Sequence, residues 1–317
     1  MKLYPNCKIN LGLRVVRKRE DGYHDIETVF VPIYGLHDEL EVSIIDGMSR
    51  SHSELNDGLM FYDGMSRSHS ELNDGMMFYQ EGIAVDCKAE DNLIVKCYRR
   101  MRAKYPRIGN VSVRFKKNIP FGAGLGGGSS DAAHMAIALN ELFGLGLSKA
   151  ELADEIRPLG ADCPFFIYNR PCYAEGIGEL LTPIDIDMSG IRIVLIKPDE
   201  GVSTKEAYSG ITKHPEVEGE IRKAVATMRQ KCTETDYSVF VNDFEASVFP
   251  NHPAIAEIKK RLLDAGAFYA SMSGSGSTVF GLFEEDTEGS TDAQLRALKD
   301  EFASMVLLDD TFGEWKS

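Results

Sequence analysis

The stretch 120–133 reads Pro-Phe-Gly-Ala-Gly-Leu-Gly-Gly-Gly-Ser-Ser-Asp-Ala-Ala and places Gly122, Gly124, Gly126, Gly127 and Gly128 within seven residues. Backbone that lacks Cβ atoms can lie directly against a ligand. Ser129 and Ser130 follow at the start of a helix predicted over 130–143, where unbonded N–H groups and the positive dipole end favour an anion. The chemistry this suggests is a phosphate cradle.

Other readings of the same residues are weaker. The run from Gly122 to Gly127 matches G-x-G-x-x-G, but a dinucleotide fold then wants a strand ending in an acidic residue about 20 residues on. Here that place holds the helix-like GLGLSKAELADEI. No Gly-Lys-Ser/Thr follows, so the Walker A pattern fails. A plain turn before a capped helix is always possible, although clustered glycines are a costly way to make one.

Elsewhere the residue types leave more than one reading open. Asp162 sits between Gly160-Ala161 and Cys163-Pro164, a tight segment that could project a carboxylate into a cleft; by itself it reads as a cap or turn residue. Lys8 and Asn10 stand two apart on a predicted strand and share one face, as solvent-facing polar residues also would. Tyr23 and His24 follow the turn residues Asp21-Gly22, and Tyr208 closes the run GVSTKEAY. Taken alone, such aromatics pack in a core or at its rim.

The glycine run resembles the nucleotide-binding loop of the GHMP kinases. Two further blocks lie in the order that this superfamily uses, PNCKINLGL over 5–13 and SMSGSGSTVF over 271–280. Together with DGYH over 21–24, GADCPF over 160–165 and AEGIGE over 174–179, the resemblance spans nearly the whole chain. It narrows to a branch whose alcohol substrate carries a cytidyl diphosphate and whose product enters isoprenoid synthesis. The chain departs from the pattern at Cys7, where alanine is common, in a duplicated segment, and in the tail after Asp309.

This resemblance implies an α+β, two-domain GHMP kinase fold: a ribosomal-protein-S5-like, ATP-binding domain over 1–171 and a ferredoxin-like substrate domain over 172–317. It implies phosphoryl transfer from ATP, with Mg²⁺, to the hydroxyl of a cytidyl diphosphate sugar alcohol. Asp162 falls at the catalytic aspartate and Lys8 beside the acceptor hydroxyl. Gly122, Gly124, Gly126, Gly127, Gly128, Ser129 and Ser130 would wrap the phosphates. Asn10 would bond the sugar alcohol, and the cytosine would lie between Tyr23 and Tyr208 with His24 reading its edge. No sequence pattern identifies the protein ligand of the metal, and the hydroxyl of Ser129 or Ser130 is an expected contribution. Residues 271–278 would line the cleft beside the phosphate loop, and a turn between two strands serves equally for them. Within the superfamily, a kinase for a smaller alcohol such as homoserine or mevalonate is the nearest rival. Outside it, the rival is a nucleotide-binding module that has lost its chemistry.

The elements that must position these residues follow from periodicity. Strands are predicted over 3–16, 26–33, 39–45, 76–85, 111–120, 191–198, 268–273 and 277–283. Helices are predicted over 92–102, from the capping box at Ser148 to near Pro158, over 217–230, and over 254–265. The tail from Asp309 is expected to be frayed or loosely docked. Segment 46–62, DGMSRSHSELNDGLMFY, is repeated at once over 63–79 with one difference, Leu59 against Met76. A near-identical pair of this kind reads as a tandem duplication that lengthens a surface connection, and LMFY or MMFY could take one strand position.

Composition sets the outer bounds. The 317 residues carry 35 Lys+Arg against 49 Asp+Glu, a net charge of −14. An acidic chain without a basic stripe is a poor nucleic-acid binder, so any anionic ligand needs backbone donors, a helix dipole or a cation. The six cysteines form no C-x-x-C pair and read as scattered buried thiols. No run is long and apolar enough for a membrane span, and the expected compartment is a reducing cytoplasm. A monomer or homodimer is expected, with no membrane partner.

Overall fold

The computed structural model describes residues 1–45, 68–72, 75–84, 88–211, 219–228, 235–284 and 290–312. Most of the duplicated segment, Cys87 and Cys232 lie outside them, as do the ends of the helix expected over 217–230. The N-terminal strands are β1 (Lys2–Leu3), β2 (Asn6–Lys18), β3 (His24–His37), β4 (Glu39–Ile44), β5 (Ser68–Leu72) and β6 (Met76–Gly82). Helix α1 (Leu93–Lys104) and strand β7 (Val111–Lys117) lead to helices α2 (Gly127–Leu142), α3 (Lys149–Ile156) and α4 (Cys163–Tyr168). Strands β8 (Cys172–Glu175), β9 (Leu180–Pro183) and β10 (Ile191–Ile196) follow. Next come helices α5 (Thr204–Ser209), α6 (Glu220–Met228), α7 (Asp243–Val248) and α8 (Pro253–Asp264). The described chain closes with β11 (Tyr269–Met272), β12 (Val279–Glu284), α9 (Ser290–Glu301) and β13 (Val306–Thr311).

These elements form two compact units that interleave in sequence. One comprises Met1–Cys7, Leu36–Phe121 and Gly126–Tyr168; the other comprises Lys8–Gly35, Gly122–Leu125 and Asn169–Ser317.

The first unit is built on a sheet of order β1-β4-β7-β6-β5. In β7 the alternation of VSVRFKK buries Val111, Val113 and Phe115 on one face. Burying each such side chain contributes about 1.5–3 kcal/mol. Strand β6 runs parallel to β7, Met76 opposite Val111, while β5 pairs antiparallel with β6. Residues 76–79 therefore hold the strand place beside β7, and the competing copy over 59–62 lies outside the described residues. Asn92 caps α1 by accepting from the Ile94 N–H at 2.9 Å, and Ser148 with Glu151 forms the expected capping box of α3.

The second unit holds two sheets, of order β2-β3-β8-β9 and β11-β12-β10-β13. Its core gathers Leu13, Val15, Val194, Ile196, Phe244, Ile258, Leu262, Met272, Val279 and Phe283. The tail differs from expectation. Residues 309–311 belong to β13, antiparallel to β10, and Phe312 N–H donates to Ile191 O at 2.9 Å. Asp309 anchors this strand, accepting from Arg192 at 2.6 and 2.8 Å and from Lys299 at 2.6 Å. Among the described residues, no helix is long and apolar enough to cross a membrane, and Cys7, Cys97, Cys163 and Cys172 are buried.

Candidate functional site

The glycine run begins on the second unit's β11–β12 turn. Ser273 Oγ donates to Gly124 O at 2.9 Å, and Thr278 N–H donates to Ala123 O at 3.3 Å. Gly124 has φ +75°, and a Cβ there would lie 2.0 Å from Ser273 O. Only glycine allows this approach. The 271–278 stretch makes the turn between two strands that the sequence allowed. Ser273 N–H donates to Thr278 O at 2.9 Å to close the turn, and the same turn carries the loop. Two residues that sequence reasoning missed brace it: Asn242 Nδ2 donates to Met272 O at 2.7 Å and Gly274 O at 2.9 Å, and Glu245 accepts from the Met272 N–H at 2.9 Å. The signal was the run NDFE, an asparagine cap before a short acidic helix.

In the first unit, helix α2 starts three residues before its expected position. Gly126 adopts φ +70° as the N-cap, so Gly127 and Gly128 are already helical. The first bond, from Ser130 N–H to Gly126 O at 3.0 Å, leaves the N–H groups of residues 127–129 ahead of it at the helix mouth. This glycine-lined mouth, with a dipole behind it, fits the phosphates of a nucleotide. Ser129 is partly exposed there. Ser130 is fully buried, its hydroxyl 3.4 Å from His134 Nδ1, which also lies 2.8 Å from Ser130 O. Of the two hydroxyls, that of Ser129 is the one left partly exposed. Among the described residues, no cluster of three or more His, Cys, Asp or Glu side chains could hold a metal ion.

The Asp162 segment lies alongside this mouth. Cys163 N–H donates to Gly160 O at 3.1 Å, closing a turn that sets Asp162 directly ahead of α4. A Cβ on Gly160 would come 3.6 Å from Ser129 Oγ. The Cys163 thiol reaches the Ser129 hydroxyl, and burial pushes that thiol up to about 12, so it stays protonated. Asp162 itself is partly exposed.

On β2, Lys8 and Asn10 share a face as alternation requires. Lys8 Nζ donates to Asn10 Oδ1 at 2.6 Å and lies 4.8 Å from the Phe30 ring centroid. Asn10 Nδ2 donates to Thr28 Oγ1 at 3.0 Å, and Thr28 Oγ1 donates to Gly12 O at 2.5 Å. Both Lys8 and Asn10 are buried, unlike the solvent-facing reading of their types, and the Lys8 N–H also donates to Leu125 O at 3.0 Å.

The aromatic residues separate into a pair and a single ring. His24 and Tyr208 stack with centroids 4.5 Å apart and planes at 18°, and Tyr208 meets the Phe244 ring edge to face at 4.7 Å. Tyr23 stands 60% exposed, its N–H donating to Asp21 Oδ1 at 3.0 Å in the turn. One face of Tyr208 is thus covered by His24.

The family model of the GHMP kinases N terminal domain matches residues 92–170, and that of the GHMP kinases C terminal matches residues 220–304. A protein of Bacteroides fragilis named 4-diphosphocytidyl-2-C-methyl-D-erythritol kinase is 43% identical over 287 residues, covering 90% of this chain and 93% of its own. A Porphyromonas gingivalis protein of the same name is 40% identical over 286 residues, with the same coverage of 90% and 93%. A crystal structure of 4-(cytidine 5'-diphospho)-2C-methyl-D-erythritol kinase superposes with a TM-score of 0.71 at 28% identity over 96% of both chains. A homoserine kinase from Cytophaga hutchinsonii, at 18% identity and TM-score 0.62 over 97% and 94%, shares the fold. From the glycine-lined mouth of α2 through both matched domains, the chain belongs to the GHMP kinases, and within them to the 4-diphosphocytidyl-2-C-methyl-D-erythritol kinase family.

Proposed function

We propose that this chain transfers the γ-phosphoryl group of ATP to the 2-hydroxyl of 4-diphosphocytidyl-2-C-methyl-D-erythritol, a step of the non-mevalonate route to isoprenoids. The observation that carries this reading is the 43% identity to relatives of that name over 90% of the chain. The chemistry of the described residues supports it. Transfer to an alcohol needs positioning, neutralised phosphate charge and a group to take the hydroxyl proton.

Residues 126–130, preceded by Gly122 and Gly124, cradle the phosphates with backbone N–H groups. Asp162, whose turn abuts Ser129, is the base that takes the hydroxyl proton. Lys8 steadies the negative charge that develops on the acceptor oxygen, its ammonium aimed by Asn10. The Ser129 hydroxyl would hold the Mg²⁺ that accompanies ATP, which would supply neutralisation of the phosphate charge. Tyr23, His24 and Tyr208 receive the cytosine; His24 must leave or share the face of Tyr208 that it now covers. ATP-binding groups belong to the 1–171 part and further substrate contacts to 172–317. The enzyme works in the cytoplasm as a monomer or homodimer, without nucleic-acid or membrane partners.

The test is ADP release by the purified protein with ATP and Mg²⁺, comparing the cytidyl substrate with mevalonate, homoserine and galactose at equal concentration. Turnover with the cytidyl compound alone is expected. Turnover with a smaller alcohol instead would replace the substrate and keep the Asp162 chemistry.

A further inference from the structure

Beneath the first turn of α2 lies a buried charged cluster that the chemistry above does not use. Lys117, the last residue of β7, donates from Nζ to Asp38 Oδ2 and, at 2.8 Å, to Asp131 Oδ2. Lys117 and Asp131 are 3% exposed and Asp38 is inaccessible. Charged groups are almost never buried to this degree unless paired.

The three residues join the ends of the glycine run. Asp38 lies between β3 and β4, and its Oδ1 accepts the backbone N–H groups of Asn118 at 2.6 Å and Ile119 at 2.8 Å. Those two residues carry the chain out of β7 toward the loop. Asp131 is the fifth residue of α2 and lies on the far side of the loop. Between them stands the ammonium. A Cβ on Gly127 would lie 3.0 Å from Lys117 Nζ and 2.9 Å from Ile119 Cγ2, so the charge sits against the first helical residue.

Two carboxylates around one ammonium would leave a net negative charge beneath an anion site. Burial pushes the Asp131 carboxyl well up, and the Lys117 charge only partly opposes this. Its Oδ1 is buried and makes no hydrogen bond among the described residues. Burial thereby favours the uncharged carboxyl at Asp131, which lessens that negative charge.

We propose that Lys117 is a positioning residue for the phosphate loop: clamped to Asp38 and Asp131, it fixes the exit of β7 against the start of α2, so that the N–H groups of residues 127–129 keep one geometry toward the phosphates. This rests on the reading that ATP phosphates bind at that helix mouth. The role differs from fold stability because it acts on one substrate. Loosening the clamp should weaken nucleotide binding and leave the cytidyl substrate's KM alone.

The test compares Lys117→Met/Asp131→Leu, which removes the clamp at similar bulk and leaves Asp38 held by the N–H groups of Asn118 and Ile119, with Asp131→Asn, which keeps an acceptor for Lys117. Readouts are ADP affinity by calorimetry, KM for ATP and for the cytidyl substrate, and Tm. The double variant should bind ADP about tenfold or more weakly, the equivalent of one interaction of ordinary strength, with KM for ATP rising in step. Asp131→Asn should recover most of that loss. Should the double variant not fold, Asp131→Leu, which leaves Lys117 paired with Asp38, carries the same comparison. A lowered Tm with unchanged ADP affinity, or equal rises in both KM values, would overturn the inference. A wild-type protein that binds ADP but phosphorylates no alcohol would sink the proposed function alone, and the ADP comparison would still decide this one.

Discussion

The Lys8 ammonium donates to Asn10 Oδ1 at 2.6 Å from a neighbouring position on the same face of β2. A long, mobile side chain is thereby held in one buried direction, with Asn10 in turn held by Thr28. Replacing Lys8 with Met should lower kcat by about 10²-fold, the scale of losing one electrostatic stabiliser of the transition state. Asn10→Leu should lower stability by about 1–3 kcal/mol, since a buried ammonium loses an acceptor. Urea titration alongside steady-state kinetics separates the two effects.

Asp162→Asn keeps the size and the turn but cannot take a proton. Turnover should fall at least about 10²-fold while ADP still binds. Near-normal turnover in that variant would remove Asp162 from the chemistry.

Stacking on an aromatic ring contributes about 1–3 kcal/mol per base. Tyr208→Ala should therefore raise the KM of the cytidyl substrate by about 5–150-fold, while Tyr208→Phe, which keeps the ring against His24 and Phe244, should change it little. Equal KM values in all three proteins would show that the base binds elsewhere.

Gly124→Ala combines two penalties. A left-handed backbone costs an L-residue about 1–2 kcal/mol, and the new methyl group would lie 2.0 Å from Ser273 O. The loop must leave the β11–β12 turn, so ADP affinity should drop together with Tm. An unchanged affinity for ADP would mean that this contact does not shape the loop.

His252 gives a pH dependence. Its Nδ1 lies 2.7 Å from Glu200 Oε2 and its Nε2 2.8 Å from Glu206 Oε1. Both ring nitrogens face carboxylates, so the doubly protonated ring is favoured, and hydrogen bonds to Glu200 and then Glu206 hold its pKa above the ordinary value. A raised folded-state pKa means that the stabilisation is complete below the unfolded value of about 6.5 and is lost as pH rises through the folded one. The Tm gap between the wild type and His252→Gln should be widest in mild acid and close toward alkaline pH. A gap that widens with pH would reverse the assignment.

The strands and helices with clean periodicity were legible in the sequence. β7 alternates along VSVRFKK, and the capping box at Ser148 announces α3. Helix α2 starts three residues earlier than expected because glycines argue against helix, whereas here helical position 127 takes glycine for want of space beside Lys117 and Ile119. Residues 309–311 differ from expectation because their anchor is non-local: nothing near Asp309 reveals that Val194 lies opposite it on β10 or that Arg192, two residues away, reaches its carboxylate. For the same reason the buried partners of Lys8 could not be read from spacing, and the run NDFE announces a capped helix but not that Asn242 and Glu245 brace the β11–β12 turn. The glycine run was legible because its chemistry is local.

Strand β3 meets its outer neighbour β8 with Thr28 opposite Ala174. During synthesis the two N-terminal strands leave the ribosome long before that partner exists. At about 5–20 residues per second, they wait several seconds to about half a minute. Throughout that interval β3 presents an unpaired edge rich in buried-type residues, Val29, Phe30 and Val31 among them. The nascent chain is then most open to wrong pairing or chaperone capture, and slowing translation between β3 and β8 would prolong the exposure.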